Sequence, residues 1–458
     1  MRQLFSVGYP AGAVAIAMLL QQSRPAWYVA WTLALFMFSP FVRRVIDAHY
    51  GWDPQSPVLL APLLAAAVAV LTVVRQSSRL DDTRMLPLLL AGGAVLGGAI
   101  VGVFVSPPAL VAYAALSWGA PIALGLYVMV RGDAHREVDR AVGRVLIGGV
   151  MVVGCYGLLQ YVAPPVWDRV WMIETRMDSI GAPLPLRVRV FSTLNAPGPL
   201  AQFLSAALLM ILARRERVRW GSVAVGSAAF ILSLARSAWL GAAIGLIVLL
   251  LLGQRTLRRI ALPLVLAAGV AAVAWQAAPN GQARLTVERT VGARITTLGT
   301  LSLDESYRAR RYLVPVVLAD IRAHPLGRGL GATLVGGARG LASARLADQG
   351  LYMDNGVMEI VLVLGWLGGA AFLLSAAAAV AHASFAPSSV GRAGRVGYLA
   401  AATALLAQVA GGTVFAGVGG AMFWLAVALA NHRVQPAGRA TLAARPAPRT
   451  IVAARVEP

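Results

Sequence analysis

The chain contains no lysine: all 40 of its basic residues are arginine, set against 19 acidic residues, for a net charge of +21. Charge of either sign is scarce, at 13% of 458 residues, against roughly a quarter in an ordinary soluble domain. Cysteine is reduced to Cys155, which excludes a disulfide framework and a cysteine-based metal centre. The five histidines (His49, His135, His324, His382 and His432) show no HxxxH or HExxH spacing, so the pattern implies no metal and no cofactor. What abounds is apolar. Hydrophobic residues make up 58% and mean hydropathy is +0.71, which excludes a soluble globular domain and a disordered chain. A pI near 11.4 points to nucleic acid or an anionic membrane surface as partner, and the hydropathy selects membrane lipid.

Two accounts of the missing lysine stand side by side. A high-GC genome favours arginine codons, and the Ala/Gly/Pro/Arg bias fits that. Alternatively, guanidinium groups are wanted for bidentate phosphate recognition, which lysine does not supply. Position along the chain separates the two.

Apolar runs able to cross about 30 Å of hydrocarbon recur at 5–20, 26–42, 57–74, 85–105, 109–130, 144–162, 197–213, 219–235, 238–253, 259–277, 355–382, 397–411 and 415–431. The expected fold is all-α, a polytopic membrane helical bundle of about 12–13 spans, with a long outer loop containing short helices. The first run has signal-peptide length, but no small-residue cleavage site follows it, so it reads as a membrane helix. Four regions result: a membrane bundle over 1–277 with an outer loop at 163–196; a long, partly helical outer loop at 278–352; C-terminal membrane helices at 353–432; and a disordered cytoplasmic tail at 433–458, rich in Ala, Pro and Arg. There is no convincing internal repeat. GxxxG patterns at Gly93–Gly97, Gly98–Gly102 and Gly241–Gly245 read as close helix packing.

Short-loop arginines set orientation. Arg75, Arg79 and Arg84; Arg131, Arg136, Arg140 and Arg144; Arg214, Arg215, Arg217 and Arg219; Arg255, Arg258 and Arg259; Arg392 and Arg395; and the tail all fall on one face, expected to be cytoplasmic. Arg43 and Arg44 break the pattern. Long loops are exempt from this rule, so the ten arginines of 278–352 need another explanation.

Several segments offer chemistry on the opposite face. Ser302 and Glu305 form a capping box, predicting a helix from Leu303 that puts Arg308 and Arg311 on one face, with Arg310 between them. This is either an amphipathic helix with snorkelling arginines or a cradle for a lipid-linked phosphate. His324-Pro-Leu-Gly-Arg-Gly-Leu-Gly lacks a Walker lysine, a GxGxxG and a strand–helix context. It therefore reads as a flexible turn shaping a cavity, with Arg328 inside it. Asp354 lies at the mouth of the next apolar run, where an N-cap aspartate is ordinary. Asn355 and Glu359 share a helix face, and Glu359 is an ionisable group about one turn into the span. Arg236 lies between two short spans, either snorkelling or clamping phosphate, and Arg189 precedes Phe191-Ser-Thr-Leu-Asn-Ala-Pro. Convergent guanidiniums suit a diphosphate, whose leaving charge they stabilise, and a nearby carboxylate suits a general base toward a sugar hydroxyl.

In this order these features resemble the O-antigen ligase and polymerase superfamily of bacterial polyprenol-dependent glycosyltransferases. The resemblance covers roughly 185–370. It rests on Arg189-Val-Phe-Ser-Thr-Leu-Asn-Ala-Pro, Ser233-Leu-Ala-Arg-Ser-Ala-Trp, His324-Pro-Leu-Gly-Arg-Gly-Leu-Gly, and Asp354-Asn355 followed by Leu364-Gly365 and Leu367-Gly368. It implies a metal-independent, inverting transfer from an undecaprenyl-diphosphate-linked glycan, in the bacterial inner membrane, at a site facing the exterior. By that match Arg189, Arg236 and Arg308 or Arg311 take the diphosphate role; joined to the residue reading above, the expected site has Asp354, Arg236 and Arg308 as catalytic residues, Arg189, Arg310, Arg311 and Arg328 at the diphosphate, and Asn355, Glu359 and His324 in support. Ligases of this family place a histidine directly before the asparagine; Asp354 stands there instead. The expected activity is therefore polymerisation of O-antigen or exopolysaccharide repeat units, with a chain-length regulator as the protein partner that reading adds. A ligase reading and a transporter or flippase reading are the alternatives.

Overall fold

The computed structural model describes residues 2–175, 177, 180–214, 219–253, 314–315, 318–333, 355–385 and 392–431. Among these residues it is helical, with no named strand and one isolated bridge, Gly181 to Val188. The helices are α1 (Arg2–Ser23), α2 (Pro25–Tyr50), α3 (Leu60–Ala67), α4 (Ala69–Arg75), α5 (Leu86–Val105), α6 (Pro108–Val130), α7 (His135–Val162), α8 (Val166–Thr175), α9 (Pro197–Leu212), α10 (Arg219–Leu232), α11 (Arg236–Leu252), α12 (Gly356–Phe385), α13 (Arg392–Gln408) and α14 (Gly417–Ala430). Among the described residues seven helical stretches are long and apolar enough to cross a membrane, and α9, α10, α11 and α14 are shorter apolar helices. The chain is thus an all-α, multi-pass bundle. The expected span at 259–277, the helix from Leu303 and the tail at 433–458 lie outside the described residues.

Burial follows composition. Helix α14 is apolar on every side, and Val418–Ala430 is buried throughout, as expected of a central helix. Helices α6, α9 and α13 pack around it, and an aromatic cluster of Trp118, Phe372, Phe415, Phe423 and Trp424 meets edge to face around its first half. At the other extreme, α5 turns Leu90, Leu96, Ile100, Val103 and Phe104 outward, the pattern of a helix facing lipid. Small residues sit where helices touch: Gly241 and Gly245 bring α11 against the backbone of Ala404 and Ala400 on α13. A Cβ added at Gly93 or Gly97 would meet nothing within 4 Å outside its own helix backbone.

Hydrogen bonds between distant loops define two ends of the bundle. At one end Arg79 donates to Val130 O (2.8 Å), Arg131 to Gln22 O (3.3 Å) and Arg395 to Ala383 O (2.8 Å). There Arg214 also pairs with Asp139 at 2.8 Å and donates to the Tyr398 hydroxyl. The described short-loop arginines therefore gather at this basic end and cap exposed helix carbonyls, where cations are favoured. At the opposite end lie the described residues of 163–196, the turns before α9, α11 and α14, and residues 318–333. Arg43 and Arg44, the exceptions to the charge pattern, belong to this second end.

Candidate functional site

Two clusters occupy the second end. The first is built on the turn before α11. Leu234 has φ 54, the left-handed region, which costs a side-chain-bearing residue about 1–3 kcal/mol. It is held there by Arg189, whose Nε and Nη2 donate to Ser233 O (3.3 and 3.2 Å) and whose Nη2 also reaches Leu234 O (3.2 Å). Val190 N donates to Leu232 O at 3.1 Å. The turn then opens α11 with half-buried Arg236 as its first residue. Two motifs read separately in the sequence are thus one object: Arg189 braces the backbone that presents Arg236.

The second cluster forms around the glycine-rich segment. The sequence suggests a flexible turn; the structure corrects this to a packed wedge. Arg328 N and Gly329 N donate to Leu362 O and Val363 O (2.8 and 3.0 Å), Leu330 N to Gly98 O (2.8 Å), and Trp366 N to Pro325 O (3.0 Å). Helix α12 breaks at Gly365 (φ 74), and the wedge satisfies the polar groups that the break frees. A Cβ on Gly329 would lie 2.2 Å from Gly102 N, and one on Gly365 2.5 Å from the Leu326 carbonyl carbon. The glycines are there for close backbone approach. Beyond the break, Trp366–Phe385 alone is about 30 Å long, enough to cross the hydrocarbon core without Gly356–Leu364.

Within this cluster Arg328 is paired. Its Nε lies 2.8 Å from Asp320 Oδ2, and its Nη2 bonds the other carboxylate oxygen. That hydrogen bond holds the Asp320 carboxyl below the usual carboxylate range, against a smaller opposing effect of burial. His324 Nδ1 is 3.3 Å from Asp320 Oδ1 and 3.0 Å from Asp320 O. The Thr333 hydroxyl donates to buried Glu359 at 3.0 Å. Asn355 is the N-cap of α12, its Oδ1 accepting from Val357 N (3.0 Å) and Met358 N (3.2 Å). The residue that the sequence offers as the cap, Asp354, lies one position earlier and outside the described residues, as do Arg308, Arg310 and Arg311.

One turn joins the clusters. A Cβ on Gly411 would lie 2.3 Å from Ser237 Cβ, and one on Gly356 2.4 Å from Gly412 O. Arg236 and Asn355 therefore head two helices that both abut the Gly411–Gly412 dipeptide. Gln202 of α9 donates to Thr413 O at 2.9 Å. Helices α9, α11 and α14 all begin at this end, and their N-cap residues, Ala196, Ala235 and Ala416, supply no side-chain cap. Their first-turn N–H groups and positive dipole ends make this face favourable to an anion. Among the described residues, no group of three or more His, Cys, Asp or Glu could hold a metal ion.

The sequence reading missed a third set of residues. Arg44 and Asp168 form an ion pair at 2.8 Å with both side chains fully buried. Asp168 Oδ2 accepts from Gln160 Nε2 (2.6 Å) and from the Tyr156 hydroxyl (2.8 Å), and Trp167 Nε1 donates to that hydroxyl (2.6 Å). Burial raises the Asp168 carboxyl above the usual carboxylate range, with Arg44, Gln160 and Tyr156 pulling the other way. Arg43 pairs with Asp47 (3.2 Å) and packs against the rings of Trp52 and Trp171, 5.0 and 4.9 Å from their centroids. The signal for these residues was the charge anomaly itself: arginines on the face that should lack them are tolerated because each is neutralised inside the protein.

Residues 221–373, about a third of the chain, match the family model described as O-antigen ligase. The matched range contains Arg236, His324, Arg328, Asp354, Asn355 and Glu359, and it supports the O-antigen ligase and polymerase superfamily. No curated protein matches the chain.

Proposed function

From the relationship of residues 221–373 to the O-antigen ligase family, we propose that the chain polymerises undecaprenyl-diphosphate-linked oligosaccharide repeat units into O-antigen or exopolysaccharide. The site would lie on the outer face of the bacterial cytoplasmic membrane, opposite the basic end, as the arginine asymmetry favours. The observation that carries the reading is the arrangement of Arg236 and Asn355 at the heads of two helices that abut one glycine turn. In this reading Asp354, which directly precedes Asn355 in the sequence, works together with Arg236.

In this reading the donor diphosphate is gripped by Arg236 with Arg308, Arg310 and Arg311, over a face already polarised by helix N-termini. Asp354 takes the proton of an acceptor sugar hydroxyl. The resulting oxygen attacks the anomeric carbon, the bond to the diphosphate breaks on the opposite side, and the arginines stabilise the departing charge. As the family resemblance implies, the step is inverting and metal-independent. Arg189 and Arg328 are assigned to holding the turn and the wedge, because their guanidiniums are engaged with carbonyls and with Asp320. Asp354 in place of the ligase histidine favours polymerase; the family model's description favours ligase.

Purified protein incubated with defined undecaprenyl-diphosphate repeat units tests this. A ladder of longer lipid-linked glycans is expected from the native chain and none from Arg236→Ala. A ladder from Arg236→Ala equal to the native one sinks the role of Arg236. A single transfer to a fixed acceptor with glycan length unchanged makes the chain a ligase. Joined products in detergent, with no second compartment, exclude pure transport.

A further inference from the structure

The dipeptide Phe191–Ser192 is gripped at its polar groups by residues that the reaction does not use. Gln160 Oε1 accepts from both Phe191 N (3.0 Å) and Ser192 N (2.8 Å). Arg44 Nη2 donates to Ser192 O, and the Ser192 hydroxyl donates to Val153 O. Asp168 sits behind this grip. It pairs with Arg44 and accepts from Gln160 Nε2, so it fixes which way the Gln160 amide faces. The segment so held is not relaxed: Ser192 has φ 50, a conformation that persists in a non-glycine residue only when its surroundings over-determine it.

Two residues earlier is Arg189, whose guanidinium fixes the carbonyls of Ser233 and Leu234, and Leu234 is the next left-handed non-glycine residue. Arg236 follows. A continuous chain of contacts thus runs from α2, α7 and α8 through 189–192 to the head of α11. A buried ion pair is weak evidence for stability, because desolvation offsets its attraction, and its best-attested use is to specify one arrangement.

We propose that Asp168, with Arg44 and Gln160, is a positioning device for Arg236. It locks Ser192 in its left-handed conformation, and through Arg189 it sets where the Arg236 guanidinium meets the lipid diphosphate. This rests on the reading that Arg236 binds that diphosphate.

The test is a double-mutant cycle, with undecaprenyl diphosphate as the probe and binding to the purified full-length chain in detergent as the readout. Arg236→Ala is expected to weaken binding at least about tenfold. Asp168→Asn, nearly isosteric, is expected to weaken it about tenfold alone and to add nothing in the Arg236→Ala background. Equal weakening in both backgrounds, or native binding by Asp168→Asn, overturns the inference and leaves the role of Arg236 standing. Native binding by Arg236→Ala overturns the reading beneath it. If Asp168→Asn is not recovered folded, Gln160→Met, which removes the acceptor for Phe191 N and Ser192 N, goes through the same cycle with the same outcomes.

Discussion

The Arg189 guanidinium donates to Ser233 O and Leu234 O across a separation of more than forty residues, closing the turn from which Arg236 opens α11. Two arginines that look alike in the sequence therefore have different work. One builds the backbone, and the other is presented by it.

Replacing Arg189 removes charge-assisted bonds to two carbonyls of a strained turn. Arg189→Ala should cost about 1.5–3 kcal/mol, seen as a lowered thermal midpoint in detergent. Arg189→Lys should recover only part of this, because an ammonium lacks the fork that reaches both carbonyls. A native midpoint for Arg189→Ala removes the bracing role.

Glu359 and Thr333 form a second pair to separate by chemistry. Glu359→Gln keeps an acceptor for the Thr333 hydroxyl and should unfold close to the native midpoint. Glu359→Ala leaves that hydroxyl without its acceptor in a buried place and should cost about 1–3 kcal/mol. Equal midpoints for the two variants would show that the hydrogen bond does not matter.

The wedge tolerates no side chain at its contact points. Gly329→Ala sets a methyl 2.2 Å from Gly102 N, and Gly365→Ala sets one against the Leu326 carbonyl. Both positions also have positive φ. Each variant should lose about 1–3 kcal/mol or more and show new proteolytic cleavage near 325–333. Gly97→Ala, with nothing within 4 Å, should be close to neutral in the same assays.

The Asp320–Arg328 pair sets an acid limit. The Asp320 carboxyl is depressed by its bond to Arg328, so the folded state binds this proton less readily than the unfolded chain. Its contribution to stability is therefore complete above the ordinary carboxylate pKa of about 3.9. It is lost as pH falls through the lower folded value. Between about pH 6 and pH 3 the native midpoint should fall more than that of Asp320→Asn; parallel curves would exclude the contribution.

Arg43 and Arg44 bear on orientation. Because both are buried and neutralised at the second end, replacing them should destabilise the bundle without inverting it. Replacing Arg75, Arg79 and Arg84 should weaken the topology signal. Reporter fusions after Gly51 read both, and inversion by the Arg43/Arg44 replacement would contradict this assignment.

Much of this protein is legible in its sequence because hydropathy and loop charge are local properties that add along the chain. Long apolar runs such as 109–130 and 415–431 had to become helices, since only a helix satisfies its own backbone in hydrocarbon. The basic loops had to share an end once those helices alternate. Only the tertiary structure decided what each polar residue faces. The glycines of 327–331 read as a flexible turn until the backbone of Gly102 and the break at Gly365 were found against them. Arg44 was a flaw in a charge pattern until Asp168, more than a hundred residues away, was found beside it. Arg189 and Arg236 were two members of one set until the carbonyls of Ser233 and Leu234 separated them. Such roles depend on which distant atom lies across a contact of about 3 Å, and sequence spacing carries no record of that distance.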